Sequence, residues 1–448
     1  VPERADAHGH RPFLSVVTAL TVVKVLTAAT GLISGPLLAR ALGAAGRGDL
    51  TAVQTPLNLA PAIIGLGIPA LVYRELPRGR PPEEVLGSLA VPLLAVGSLA
   101  MLAAVPVADL LAGSRETVRT YLVIGFLMMP LMLLGTLLTD SLVALQRWWA
   151  VATSTVLGFG IPFVGTVVLY ALGDLTVGWA SALTIASLLA GALPAIPMLL
   201  ELARPVFRLQ LVREGLSFGL RSWFGGLALL ANIRLDQLLM IPLVSPRILG
   251  LYAVAGTLAG ATGLFTQALG QPVIARVAAG DRMLMVRAVR VALPAGIVMN
   301  LALAAVTPLL LTTVFGHAFQ AAVPMAWLLL LGMVPFGTAS VLSTALQADG
   351  APQIPSIAEA IALVVTVPGL ILLLRPLGGI GAAIVSDVAY TTSFVYQVRA
   401  ASRRIGVPVS GFLVPTRDDV EWASRLALQA GRSVTRRLRL GGRVSSAG

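Results

Sequence analysis

The chain has 448 residues, of which 57% are hydrophobic and 12% charged, with a formal net charge of +12 and a mean hydropathy of +0.89. A soluble domain carries about 25% charged residues, so this composition excludes a water-soluble globular protein and is that of a polytopic membrane protein. Without a cysteine there is no disulfide or thiol chemistry, and His8, His10 and His317 show no metal-ligand spacing.

Residues 1–12 form a polar N-terminal tail. Apolar runs long enough to cross a bilayer follow at 13–38, 50–73, 85–112, 120–145, 150–172 and 177–200, here spans 1 to 6. A polar linker at 201–216 leads to spans 7 to 12 at 217–243, 249–275, 289–314, 322–346, 355–374 and 379–398, and residues 399–448 are a basic tail. The first run is too long for a signal peptide and carries a lysine within its apolar stretch. The expected fold class is an all-α polytopic membrane protein of about 12 transmembrane helices.

Basic residues set the orientation. With the N-terminus inside, 23 of the 32 basic residues fall on the cytoplasmic side and 6, including Arg40 and Arg47, on the outer side. N-in and C-in is the predicted topology, and the positive charge reports orientation, not binding to nucleic acid. A shift of about 201 residues lays the chain on itself: GDLTAV at 48–53 falls on GLYAVA at 250–255, Arg74 on Arg276, ALQ at 144–146 on ALQ at 345–347. Such a duplication with six spans per copy predicts two six-helix lobes, 13–200 and 217–398, related by a pseudo-two-fold along the membrane normal.

Three basic residues lie inside the predicted spans. Lys24, the only lysine, sits in span 1, where a charge at mid-bilayer costs about 2.5–3.5 kcal/mol. It shares a helical face with Ala28, Gly31 and Gly35, which suits either a water-filled cavity or close packing around an ion pair. On span 7, Arg221, Gly225, Ala228, Asn232 and Asp236 make a polar stripe. Arg221 is near the inner end, where an interface anchor competes with substrate contact; Arg234 points the other way and either snorkels to the outer interface or meets substrate.

Carboxylates at Asp236 in span 7, Glu359 in span 11 and Asp387 in span 12, with Thr391 one turn beyond, suggest a coupling-ion site for Na+ or H+, charge pairing being the competing explanation. No other cofactor is expected. Prolines recur within spans, Pro69 and Pro130 among them, and can bend helices. In the tail, residues 420–438 can form a basic amphipathic helix, with Trp422, Leu426, Ala430 and Val434 on the apolar side, suited to anionic membrane lipids.

LLARALGAAGRGDL, between spans 1 and 2, resembles the corresponding stretch of polysaccharide and O-antigen flippases. NIRLDQLLMIPLVSPRILGLYAVAG, across spans 7 and 8, is similar to the same superfamily, that of the multidrug/oligosaccharidyl-lipid/polysaccharide (MOP) exporters. The resemblance implies alternating access by two six-helix lobes and transport of an undecaprenyl-pyrophosphate-linked oligosaccharide or envelope precursor across the bacterial inner membrane. It implies Lys24, Arg221 and Asn232 as cavity residues for the pyrophosphate, and polysaccharide-assembly proteins as partners. By similarity to lipid II flippases it also implies a sodium site from the span-7, span-11 and span-12 oxygens of Asp236, Glu359, Asp387 and Thr391.

Two rivals are a cation-coupled multidrug exporter of the same superfamily and a membrane-embedded polymerase or glycosyltransferase. Catalysis would need positioned acid/base or metal-binding groups at the membrane surface. The loops are too short for a catalytic domain, and the paired acids Glu83–Glu84 and Asp418–Asp419 lie in a short loop and the tail. The chain is therefore read as a transporter and not an enzyme.

Overall fold

The structure, a computed structural model, describes residues 10–201, 206–263, 276–419 and 421. The side chains of Lys24 and Arg221, and the proposed tail helix at 420–438 except for residue 421, lie outside the described residues. Among those described, all regular structure is helical. The principal helices are α1 (His10–Ile64), α2 (Pro82–Leu102), α3 (Ala104–Ala112), α4 (Glu116–Leu127), α5 (Met129–Ala144), α6 (Trp148–Leu172) and α7 (Val177–Ala190). They continue as α8 (Leu209–Leu243), α9 (Pro246–Gly260), α10 (Met283–Leu310), α11 (Val323–Ala348) and α12 (Gln353–Ile405).

The described residues of all twelve predicted runs are mainly helical, with breaks inside five of them, at 65–67, 103, 128, 191–192 and 261–262. Among the described residues, six helical segments are individually long and apolar enough to cross a membrane, and two bent pairs bring the number to eight. Two of the helices are too long to be single crossings. At 1.5 Å per residue, the 55 residues of α1 and the 53 of α12 extend about 80 Å, against a hydrocarbon core of about 30 Å. Each is two spans joined at one glycine with non-helical backbone, Gly43 (φ 65°, ψ −177°) in α1 and Gly378 (φ 55°, ψ −131°) in α12. Only glycine takes these angles without Cβ strain.

This differs from the expected connections at 39–49 and 375–378. The first reversal needs one residue, so helix resumes at once and Arg47, assigned to a loop by hydropathy, stands on the second helical arm of α1. Prolines mark two other bends. The break ending at Ile68 turns the chain by 53° with Pro69 in its first turn, and the break between α4 and α5 turns it by 55° with Pro130 in the first turn of α5. Proline is tolerated there because first-turn N–H groups have no intrahelical acceptor.

The described fold divides into two compact units. The first comprises Val1–Thr257, Thr307–Ala326 and Thr366–Val385; the second comprises Leu258–Val306, Trp327–Val365 and Ser386–Gly448. In the first unit, glycines let backbones meet. A Cβ at Gly48 would lie 1.8 Å from the Pro246 carbonyl oxygen, and one at Gly250 would lie 1.8 Å from that of Ala44. The second arm of α1 and α9 thus cross at backbone contact, the packing mode that small residues allow between membrane helices. Gly67 and Gly219 form a comparable contact between the end of span 2 and α8. Arg40 donates to the carbonyls of Val314 (2.8 Å) and Thr313, which holds the 311–315 turn to α1.

The second unit packs around Leu284, Met285, Val289, Leu342, Leu346, Val398 and Phe412. Its connections carry compensated charge. Asp349, after α11, accepts from Arg282 at 2.7 Å and Arg404 at 2.5 Å. Burial pushes the Asp349 carboxyl up, but the hydrogen bonds and charges of the two arginines outweigh it and hold the group below the usual carboxylate range.

Candidate functional site

Arg47, Thr51, Gln54, Thr55 and Asn58 succeed one another at helical spacing along the second arm of α1 and line one side of a cavity in the first unit. Arg234 and Gln237 of α8 and Thr257 of α9 face them, enclosing about 460 Å3. Side chains brace one another across the space. Arg47 donates to Gln54 Oε1 at 3.4 Å, Gln54 Nε2 to Thr184 Oγ1 at 3.1 Å, Thr55 Oγ1 to Gln237 Oε1 at 3.2 Å, and Arg234 to the same oxygen at 3.3 Å.

Neither guanidinium has a carboxylate within 4 Å among the described residues, and Nε of Arg47 is buried with no acceptor. The nearest candidate counter-ion in sequence, Asp236, is otherwise engaged. It is buried, accepts from the Tyr252 hydroxyl and takes the backbone N–H of Gln237 at 2.7 Å. Two cations, Arg47 half-buried and Arg234 exposed, thus line one cavity with neutral amides and hydroxyls. Such an array of surplus donors is complementary to an anion with several oxygens, because charge-assisted N–H···O bonds are shorter and stronger than neutral ones.

The residues singled out from the sequence are distributed differently. Asn232 is buried and accepts from Thr366 Oγ1 at 3.3 Å. Glu359 accepts from Ser393 Oγ at 3.1 Å, at the end of a chain in which Gln397 bridges Ser393 (3.2 Å) and Ser343 (2.8 Å). Asp387 and Thr391 share a cavity in the second unit with Gly332, where a Cβ would lie 2.1 Å from Asp387 Oδ1. Glycine at 332 is what admits that carboxylate. Asp236, Glu359 and Asp387 therefore each have their own surroundings, and only Asp387 keeps a buried oxygen without a donor.

Sequence reasoning missed the Arg47–Arg234 pair. The signal was present as the i, i+4, i+7, i+8, i+11 spacing of Arg47, Thr51, Gln54, Thr55 and Asn58, but it becomes helical only when the reversal is confined to Gly43.

A family model for polysaccharide biosynthesis proteins matches residues 13–277, more than half of the chain. The chain belongs to that family. No curated protein matches its sequence. Among solved structures, the lipid II flippase MurJ in an inward closed conformation is similar at 15% identity and a TM-score of 0.68, over 88% of each chain. A multidrug resistance MATE family transporter of the MOP superfamily, inward-facing, is similar at 15% identity and a TM-score of 0.60, over 87% of this chain and 98% of that one. The MATE multidrug transporter DinF-BH matches at 15% identity and a TM-score of 0.61, over 90% of this chain and 98% of that one. The polysaccharide biosynthesis protein thus has the MOP fold, as the resemblance implied, and is a multi-pass membrane protein.

Proposed function

We propose that the protein flips an undecaprenyl-pyrophosphate-type lipid-linked oligosaccharide from the cytoplasmic to the outer leaflet of the bacterial inner membrane by alternating access, with both termini in the cytoplasm. The observation that supports this reading is the polar cavity of Arg47 and Arg234, two guanidiniums with no carboxylate within 4 Å among the described residues. A pyrophosphate brings the missing negative charge, and guanidiniums engage its oxygens in bidentate fashion. Gln54, Thr55, Asn58 and Gln237 offer the neutral hydrogen-bonding groups that sugar hydroxyls require. Lys24 and Arg221 are assigned to the same anion's path by their charge and place in the sequence. An exporter of organic cations is disfavoured at this cavity, whose two guanidiniums repel them.

Transport is proposed to draw on a Na+ or H+ gradient through Asp387, the carboxylate with an unsatisfied oxygen, with Thr391 beside it in the same cavity; Asp236 and Glu359 already have donors. The test of the flippase reading is reconstitution with a lipid-linked oligosaccharide, comparing wild type with the double variant Arg47→Ala, Arg234→Ala. Flipping per folded molecule should fall by about two to four orders of magnitude, as loss of two charge-assisted contacts of about 1.5–3 kcal/mol each predicts. A folded double variant that flips at the wild-type rate refutes it.

A further inference from the structure

The cavity around Asp387 has chemistry of its own. Asn300 of α10 is only 4% exposed; its Nδ2 donates to the Gly296 carbonyl at 2.9 Å, and its Oδ1 is buried with no donor. Oδ1 of Asp387, on α12, is in the same condition. Both residues line one space of about 860 Å3 among α10, α11 and α12. Thr392 is no remedy, because its hydroxyl donates to the Val388 carbonyl at 2.7 Å. The indole N–H of Trp327 is likewise taken up by the Ala304 carbonyl at 2.9 Å. Among the described residues no lysine, arginine or histidine lines the space, and most of its wall is apolar, Leu301 and Leu331 included.

A buried acceptor left without a donor is destabilising, and a carboxylate with no cation beside it more so. The occupant that removes both penalties brings positive charge and N–H donors together. A coupling cation at Asp387 brings charge but no N–H donors, and leaves the apolar wall unused. The volume is that of a site for a small organic molecule, in which a few polar groups orient an apolar body. Leu301 and Leu331 are each 65% exposed, so the rim is apolar surface along which a membrane-dissolved molecule can reach the site.

We propose that this cavity binds a lipid-soluble protonated amine, its N–H groups donated to Asp387 and Asn300 and its apolar body against Trp327, Leu301 and Leu331. The site shares Asp387 with the coupling reading but requires neither an ion gradient nor transport. It is tested by calorimetric titration of the full-length protein in lipid nanodiscs, with empty nanodiscs subtracted, using phenylbutylammonium, phenylbutyltrimethylammonium and phenylbutanol as probes.

The primary ammonium should bind saturably and the alcohol should not. The trimethyl compound, which has charge but no N–H, should bind about tenfold more weakly or worse, as should the primary ammonium to Asp387→Asn or to Asn300→Leu. Arg47→Ala should leave its binding unchanged. Equal affinity for the three probes, or full-strength binding to a folded Asp387→Asn protein, overturns the proposal. Should Asp387→Asn fail to fold, Asn300→Leu and the trimethyl compound decide the matter. Because binding is read without transport, a protein that binds the amine but flips no glycan refutes the function proposed above and leaves this site standing; the reverse result overturns the site alone.

Discussion

The cavity of the first unit is lined by the guanidiniums of Arg47 and Arg234 with amides and hydroxyls and, among the described lining residues, no carboxylate; Nε of Arg47 is buried without an acceptor. The cavity of the second unit is lined instead by unpartnered acceptors, Oδ1 of Asp387 and Oδ1 of Asn300, in a larger and mostly apolar space with no cationic side chain among the described residues. In two connections the charges are compensated. Glu75 receives Arg74 and Arg80 at 2.9 Å each, and Asp349 receives Arg282 and Arg404. A chain that pairs its charges in the connections but leaves two enclosures unbalanced, with opposite sign, has marked them for ligands of opposite charge. Burying an unpaired charge is too costly to persist without a compensating occupant or water.

The largest effect should come from giving the first cavity the charge it lacks. Arg47→Glu would pair with Arg234 and occupy the place of the anion, so flipping should fall by about two orders of magnitude or more, since like-charge contact with substrate costs several kcal/mol. Arg47→Lys keeps the charge but loses the planar fork, and should retain flipping within about tenfold of wild type. Equal rates in all three proteins, measured per folded molecule, would remove the first cavity from the comparison.

The second cavity is separated from the first by Asp387→Asn. Gradient-driven flipping should drop to the rate seen without a gradient, while downhill flipping of the same substrate stays within about twofold. Loss of downhill flipping as well would show that the two enclosures are not chemically independent. Asp236 provides the contrast. Tyr252→Phe removes its hydroxyl donor, which should lower stability by about 1–3 kcal/mol, read as an earlier detergent melt, with gradient dependence intact.

The smallest effect is in a compensated charge. The Asp349 carboxyl is held low in the folded protein, so its contribution to stability is present above its unfolded value of about 3.9 and is lost as pH falls through the lower folded value. The melting temperature should therefore decline below about pH 4, and Asp349→Asn should melt lower than wild type at neutral pH while losing part of that decline. An identical pH profile in the variant would show that Arg282 and Arg404 contribute nothing through Asp349.

Much of the molecule was legible beforehand for reasons that can be named. Span positions follow from hydropathy because an unpaired backbone group in hydrocarbon is costly enough to force helix over any long apolar run. The MOP fold was recoverable from the span order and from stretches such as LLARALGAAGRGDL. The candidate site was legible only in part. Arg234 was seen as an intramembrane charge but referred to the interface or the substrate, and Arg47 was placed in a loop because span 2 was taken to begin at residue 50. Asn300 and Gly332 carried no signal, since a lone asparagine and a lone glycine in apolar helices usually serve packing.

Sequence alone determined what the chain must do with its backbone: composition and the length of the apolar runs dictate a multi-pass helical membrane protein, and the distribution of arginine predicts which way it faces. Tertiary structure decided which polar side chains are left without partners. That depends on contacts between residues far apart in the chain: Thr55 with Gln237, Tyr252 with Asp236, Ser393 with Glu359, and the space at Gly332 that receives Asp387. Hydropathy is a property of neighbours in sequence, whereas hydrogen-bond satisfaction is a property of neighbours in space, and a binding site is made of the groups that such neighbours leave unsatisfied.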